Sequence, residues 1–377
     1  MLDEVARPKV IEGAFDEIFV GQTPVLMGVE PSSLCWVLGR VADNREGQTW
    51  ACEFQHLASL EYVVTDAGNG LLKGLALTST SRPKSLQHSL DVFHTLHAGG
   101  RAWRTTESQV WKLHERAEQL WKPLHRMRRE GQSLQGYVTA EHYAARQRAE
   151  DALQSAIEIE TAWKHVRECL ELFTPEGQLN TCSAARAKLD QWLPGLKGMP
   201  WAKTVRLLKR PESLTFLERI EQKLRDLPFG EDLKRDALRF EGLRRQPTLL
   251  KGEDPTTRAT RGWWLLATVR YHRDEEFQKA VLSVRGVLRR CWRASSLVEG
   301  INSVVRMQQA RHRKLTTDLM NLKRLYWNCR PFRTGRRSGH SPYELLGVAL
   351  PPGSWWELLK LPPDRLKEEL STKQPAP

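Results

Sequence analysis

Short apolar runs separated by turn residues open the chain and predict consecutive β-strands. Residues 14–33, AFDEIFVGQTPVLMGVEPSS, hold two such runs joined by Gly-Gln-Thr-Pro, which predicts a β-hairpin. The next run, residues 34–42, predicts a third strand that ends at the turn-rich segment 43–47. Because antiparallel neighbours need only short connections, the three strands favour an antiparallel meander.

The pattern then alternates between helix and strand. Residues 49–60 carry apolar side chains at helical spacing, residues 62–66 form a β-branched run, and a second helix is predicted from residue 71. Asp66 therefore ends a fourth strand, at the edge where α/β sheets build their sites. An aspartate before Gly-Asn-Gly is equally typical of a turn. Residues 89–94, SLDVFH, predict a fifth strand that carries an acid and an imidazole.

Long helical stripes follow. Apolar residues recur at a period close to 3.5 over 110–127 and again over 145–170, and Pro and Gly residues divide the rest into shorter helices. Residues 104–256 are therefore predicted to be all-helical. We expect the aromatic residues of these stripes to pack inside the block: Trp111, Trp121 and Trp163.

Two further helices are predicted, over 260–293 and 297–328, with a break at residues 294–296. In the second, Glu299, Asn302 and Arg306 share one polar face. A carboxylate, an amide and a guanidinium on one face are typical of a binding site, and surface salt bridging is the alternative. Gly300 is a poor helix former, which indicates that close approach matters there more than helix propensity.

Composition narrows the class of protein. The 377 residues hold 40% hydrophobic residues, with no run long enough to span a bilayer and no apolar leader. Six cysteines without a close pair indicate reduced, structural thiols. We therefore expect a soluble cytoplasmic protein without membrane contact.

The net charge of +13 is unevenly distributed. It is −5 over residues 1–100, +5 over 101–257, and +14 over 258–340, where 19 basic side chains face 5 acidic ones. Tryptophans 263, 264, 292 and 327 interleave this basic block, a pattern that suits phosphates and stacked bases. A solvated helix face is the alternative. The candidate DNA-binding residues are Arg289, Arg290, Arg293, Arg306, Arg311, Arg313, Lys314, Arg333, Arg336 and Arg337.

Adjacent acids interrupt the first strand. Because side chains alternate between the faces of a strand, only one of Asp16 and Glu17 can point toward a site. A buried, unpaired carboxylate costs several kcal/mol, so it needs a cation or hydrogen-bond partners. We take Asp16 as the candidate metal ligand and expect Glu17 to face solvent.

Taken together, Asp16, Asp66 and Glu299 in the order β-β-β-α-β-α-β-α resemble the RNase H-like core of DDE transposases. The likeness extends over about residues 14–360 to an ordered set of phrases similar to those of bacterial insertion-sequence transposases: DEIF (16–19) with PVL (24–26), TDAG (65–68), DVFH (91–94), SLVEGIN (296–302), YWNCRPF (326–332) and SPYELLG (341–347).

This resemblance implies an α/β fold with a mixed sheet flanked by helices and interrupted by a large all-α insertion. It implies that Asp16, Asp66 and Glu299 bind two Mg²⁺ ions, with Mn²⁺ able to substitute, and catalyse DNA strand cleavage and transfer. The expected accessory residues are Asp91, His94, Asn302 and Arg306.

The implied organisation has four parts. Residues 1–103 form the first part of the catalytic core, 104–256 the helical insertion, 257–340 the second part of the core with the basic block, and 341–377 a C-terminal tail. The implied partner is double-stranded DNA, as element ends and target, bound by a homodimer or higher oligomer near the bacterial nucleoid.

One departure from the family is clear. Relatives usually carry an N-terminal helix-turn-helix that recognises the element ends, whereas here the first predicted catalytic strand begins about 15 residues from Met1. The resemblance therefore leads us to expect either a truncated or split reading frame or a separate polypeptide that supplies end recognition. Two other classes stay open: a nuclease or resolvase on the same fold, and a catalytically idle DNA-binding protein derived from a transposase.

Overall fold

The computed structural model describes residues 1–133, 136–311 and 315–373 and shows a mixed α/β protein. Two compact units divide the chain: Met1–His94 with Arg290–Pro377, and Thr95–Arg289. The first unit contains the sheet, and the second is helical. The compact units thus divide at 94/95 and 289/290, and the four-part organisation into 1–103, 104–256, 257–340 and 341–377 remains a prediction.

The strands are β1 Glu12–Val20, β2 Thr23–Glu30, β3 Cys35–Val41, β4 Tyr62–Thr65 and β5 Gln87–Leu90. The α-helices are α1 Leu2–Ala6, α2 Gly47–Gln55, α3 Asn69–Thr80, α4 Val92–Arg129, α5 Gly136–Cys169, α6 Cys182–Trp192, α7 Ala202–Leu208, α8 Thr215–Arg225, α9 Glu231–Arg245, α10 Pro255–Arg273, α11 Glu275–Arg289, α12 Ser296–Arg311, α13 Thr317–Cys329, α14 Pro342–Leu345, α15 Trp355–Lys360 and α16 Pro363–Lys373.

The predicted hairpin is confirmed, with a shorter connection than expected. Val20 pairs with Thr23, so the turn is the dipeptide Gly21-Gln22, and Pro24 already belongs to β2. Gly21 has φ +63°, a conformation that glycine adopts without steric cost. The two-residue turn fixes the register that pairs Asp16 with Met27.

Strand order in the sheet is β3-β2-β1-β4-β5. The first three strands form the predicted antiparallel meander, whereas β4 runs parallel to β1, and β5 runs parallel to β4. The fifth strand is shorter than the predicted 89–94. It ends at Leu90 because the Asp91 carboxylate accepts the backbone N–H of His94 and thereby caps α4, which places His94 in a first helical turn.

Alternation along β1 separates two apolar cores. One face contributes Phe15, which meets Trp50 and Phe54 of α2 edge to face. The other contributes Ala14 and Ile18 to a core shared with α12 through Val298, Ile301 and Val305. Asp16 has the same parity as Ala14 and Ile18, so it lies under α12.

The two late predicted helices are each interrupted. Residues 260–293 form α10 and α11 because the Asp274 carboxylate accepts the N–H groups of Glu276 and Phe277 and begins a new helix. Residues 297–328 likewise form α12 and α13. The predicted break at 294–296 exists but lies earlier, over residues 290–295, because α11 ends at Arg289 and Ser296 already begins α12. On α13, the Asn328 amide pairs with both backbone groups of Trp36, at 2.8 and 2.9 Å, and so covers the edge strand β3.

Both long predicted helices of the second unit are confirmed as α4 and α5, and Trp163 is buried as expected. The expectation for the other two tryptophans is wrong, since Trp111 is 64% and Trp121 43% exposed. The buried core between α4 and α5 in this region consists of the small residues Ala117, Ala145 and Ala149. Helices that pack through alanines lie too close together to bury an indole between them. No helix in the described part of the chain is long and apolar enough to cross a membrane.

Candidate active site

Asp16 is the centre of the candidate site. It lies on β1, the middle strand of the sheet, and is only 7% exposed. One carboxylate oxygen accepts the Glu17 N–H at 2.8 Å, and the other accepts Nδ2 of Asn302 at 2.9 Å. Glu17 points to the opposite face, as the alternation predicts, but the expectation that it faces solvent is wrong: its side chain is only 9% exposed and is paired with Arg45.

Asn302 is fully buried on the underside of α12. The apolar residues Val298, Ile301 and Val305 hold that side of the helix against the sheet, which turns the amide toward β1. Its Nδ2 bonds to Asp16, while its Oδ1 has no hydrogen-bond partner among the described residues. A buried acceptor without a partner costs free energy, so this oxygen is a position where a ligand can bind.

Asp66 and Glu299 lie within electrostatic reach of the Asp16 carboxylate. Asp66 directly follows β4, the parallel neighbour of β1, and one of its oxygens accepts the Gly68 N–H at 2.9 Å. Glu299 lies one turn before Asn302 and forms an ion pair with Arg306 at 3.2 Å. Glu299 and Arg306 thus form the surface salt bridge that was the alternative for this face of α12, whereas Asn302 is buried and bonds to Asp16.

The pKa of Asp16 is shifted by its burial and by the neighbouring charges. Burial is the main cause of its rise from 3.8 to about 6, the negative charges of Asp66 and Glu299 raise it further, and the Glu17 N–H and His94 oppose the rise. Asp66 and Glu299 thus lie close enough to Asp16 to repel its negative charge. Such repulsion favours either a proton or a cation at the site.

His94 and Asp91 form a second pair beside these acids. The ring Nδ1 of His94 lies 2.9 Å from the Asp91 carboxylate, and this hydrogen bond raises the pKa of His94, with further contributions from Asp16 and Asp66. Burial alone would raise the pKa of Asp91, but hydrogen bonds from His94 and Ser295 outweigh it and hold that pKa below its usual range.

Ser295 is a site residue that the sequence did not predict. Its backbone N–H donates to the Asp91 carboxylate at 2.7 Å, and its hydroxyl donates to the same oxygen. Nearby, the Val92 N–H donates to the Arg293 carbonyl at 2.8 Å. A serine at a predicted helix start was the available signal, but its partner lies about 200 positions earlier in the chain, which no local pattern shows.

Every candidate metal ligand already has a partner within the protein. Asp16 bonds to Asn302, Asp66 to a backbone N–H, Glu299 to Arg306, and His94 to Asp91. Accordingly, no group of three or more His, Cys, Asp or Glu side chains within the described ranges is arranged to hold a metal ion.

The candidate DNA-binding residues fall into different environments. Arg333 and Arg336 are exposed on a compact loop closed by the Phe332 N–H to His340 carbonyl bond at 3.0 Å. Arg337 is half-buried, and its guanidinium donates to the Pro31 and Ser32 carbonyls at 3.0 and 2.9 Å.

The other basic residues are less uniform. Arg289 and Arg290 are exposed, and Arg293 is half-buried. Arg313 and Lys314 lie outside the described residues, as does the side chain of Arg311.

Two of the tryptophans associated with base stacking have packing roles. Trp264 stacks on Phe240 with ring centroids 4.6 Å apart, and Trp327 packs against the sheet core while its Nε1 donates to the Leu34 carbonyl. Their ring faces are therefore partly covered by the protein itself. Comparison with known proteins adds no assignment, since no family model, curated protein or solved structure matches the chain.

Proposed function

We propose that this protein is a metal-dependent DNA transposase of the DDE type, built on an RNase H-like core. The observation that carries the proposal is the buried carboxylate of Asp16 on the central strand, within electrostatic reach of Asp66 and Glu299. The strand order β3-β2-β1-β4-β5, with three antiparallel strands followed by two parallel ones, supports the same assignment.

The residue types at the site suit a pair of Mg²⁺ ions, with Mn²⁺ as a substitute, but the carboxylates of the described residues are not arranged around a cation and would have to exchange their present partners to bind one. Hard cations prefer oxygen ligands, and the site offers three carboxylates and the unpartnered Oδ1 of Asn302. A cation would also offset the burial and the negative charges that together raise the Asp16 pKa. Asp16, Asp66 and Glu299 would hold the metal. Glu299 is 39% exposed, and its ion-pair partner among the described residues is the exposed Arg306, so a side-chain rotation frees it.

Bound metal would activate a water or a 3′-hydroxyl and stabilise the leaving oxygen of a phosphodiester. The protein's own residues would position the metal ligands and bind the phosphate. Asn302 fixes the Asp16 carboxylate, Asp91 orients the His94 ring through Nδ1, and the raised pKa of His94 favours a ring that donates hydrogen bonds to a phosphate oxygen. Arg306, once it exchanges Glu299 for DNA, supplies a second cationic donor.

The experiment compares wild-type protein with Asp16→Asn, Asp66→Asn and Glu299→Gln on DNA carrying the element's ends, with Mg²⁺ or with a chelator. We expect each substitution to abolish Mg²⁺-dependent strand cleavage and joining while DNA retention is kept. A matched control is Glu46→Gln, an exposed acid outside the site. Full activity in Glu299→Gln would refute the assignment.

The products separate the other two classes. Hydrolysed ends that never join a target would indicate a nuclease or resolvase. Retention of DNA with no cleavage under any divalent metal would indicate an idle DNA-binding protein. Metal binding can be measured independently of activity: Mg²⁺ should raise the thermal stability of the wild-type protein but not that of Asp16→Asn.

A further inference from the structure

The helical unit carries an open apolar groove between α4 and α5. Its volume is about 920 Å³, and its floor and walls include Trp111, Trp121, Leu153 and Ile157, which are 64, 43, 43 and 48% exposed. Four indole or aliphatic side chains left open on one groove are unusual for a solvent-facing surface, because each retains apolar area that burial would stabilise.

The rim of this groove is acidic. Glu107, Glu115 and Glu160 line it, and none of the three has an ion-pair partner among the residues that the structure describes. Glu118 is paired with Lys122, and the one lining arginine, Arg146, is already paired with Glu150. The groove therefore offers uncompensated negative charge around an apolar floor, which favours a basic amphipathic helix and repels a polyanion such as DNA.

A surface of that description lies on α10 of the same unit. Leu265, Leu266 and Val269 are 60, 74 and 51% exposed and share one helix face, with spacings of one and three or four residues. Arg258 and Arg273 flank this apolar stripe, and neither has an ion-pair partner in the described ranges. The helix itself contains no acidic residue.

We propose that the α4/α5 groove binds the α10 stripe of a second copy of this chain. The apolar floor of the groove would cover the apolar stripe of α10. The three unpaired carboxylates at the rim of the groove would face the two unpaired guanidinium groups beside the stripe. Because every molecule carries both halves, two copies related by a two-fold axis can place each α10 in the other's groove. Such a reciprocal pair closes, whereas a one-way contact would propagate into a filament.

Two charge-reversal variants test the proposal. The groove variant is Glu107→Lys/Glu115→Lys/Glu160→Lys, and the stripe variant is Arg258→Glu/Arg273→Glu. Masses are measured without DNA by sedimentation velocity and light scattering over about 1–100 μM protein, with helix content and thermal stability recorded to verify folding. Matched controls are Glu158→Lys on α5 and Arg128→Glu on α4, both exposed and outside the groove.

We expect each variant to self-associate on the order of 10- to 100-fold more weakly than wild type, because its own halves now repel. An equimolar mixture of the two should recover the wild-type mass, since lysines on one groove meet glutamates on the other stripe while the second contact stays native. A wild-type protein that is monomeric throughout, variants that keep its mass, or a mixture that stays dissociated would each overturn the proposal. A stripe variant that loses only salt-sensitive DNA retention would overturn it in favour of a nucleic-acid surface.

Discussion

Replacing Asp16 by Asn should stabilise the protein while it removes the proposed activity. The Asp16 carboxylate is buried near two other acids, so its negative charge destabilises the folded protein at neutral pH. An amide of the same shape carries no charge. Asn302 can serve it equally well, because rotation of its own amide brings the unpartnered Oδ1 into position to accept from the new NH₂ group.

The magnitude follows from the pKa. Asp16 has a pKa of about 6 in the folded protein against 3.8 for an ordinary aspartate. A difference of roughly two units corresponds to about 3 kcal/mol of lost stability above pH 6. As the pH falls from about 6 to 4, the folded state takes up a proton that the unfolded chain does not, and the penalty disappears. The gain from Asp16→Asn should therefore be about 3 kcal/mol near pH 8 and close to zero near pH 4.

Urea unfolding of both proteins at a series of pH values between about 4 and 8 measures this difference. The free energy of unfolding should be read from the transition of the sheet-containing unit, because a chain with two compact units need not unfold in one step. Asp43→Asn, at an exposed aspartate, is the control and should change stability little at any pH.

Two results would refute the reasoning. One is a variant that is no more stable than wild type at high pH, which would mean that the carboxylate is well solvated or already compensated. The other is a gain that does not vary with pH, which would assign the effect to packing rather than to charge. Either result would also remove the electrostatic support for a metal at this position.

Further predictions address the surroundings of the site. The close approach expected at Gly300 is not seen, since a Cβ there meets open space. Gly300→Ala should therefore raise the free energy of unfolding by about 0.5–1 kcal/mol, because α12 gains helix propensity; lower stability in urea unfolding would contradict this. Arg333→Ala with Arg336→Ala should flatten the log–log salt dependence of DNA binding by about 2, measured between roughly 50 and 200 mM salt. Arg337→Ala should instead lower thermal stability, since its guanidinium holds two carbonyls; an unchanged melting temperature would refute that. Asp91→Ala should cost about 3 kcal/mol in urea unfolding by leaving its donors without their shared acceptor, and a smaller loss than that of Asp43→Ala would count against it.

The sequence predicted the parts of the fold that depend on local periodicity. Alternation placed Asp16 and Glu17 on opposite faces, and the helical repeat placed Glu299 and Arg306 on one face, as the structure has them. These succeed because a period of 2 or 3.6 is a property of the backbone itself.

Local sequence patterns failed to predict features that depend on a single hydrogen bond or on a residue far away in the sequence. The fifth strand ends early because Asp91 caps a helix, and a capping aspartate and a strand aspartate look alike in a sequence. Periodicity predicted that Trp111 belongs to the apolar stripe of a helix, but it cannot show whether the facing helix has side chains large enough to cover that stripe. Likewise, the bond from Ser295 to Asp91 depends on the folded chain bringing distant positions together.

The division of the chain has a consequence for its synthesis on the ribosome. All five strands have left the tunnel long before α12, because roughly 200 residues of the helical unit are translated between them. At about 5–20 residues per second, that interval lasts about 10–40 seconds. During it, the sheet face that holds Asp16 has no α12 above it, and β3 lacks the Asn328 amide at its edge. We therefore expect the nascent sheet to depend on chaperones, and slow translation of residues 95–289 to increase aggregation.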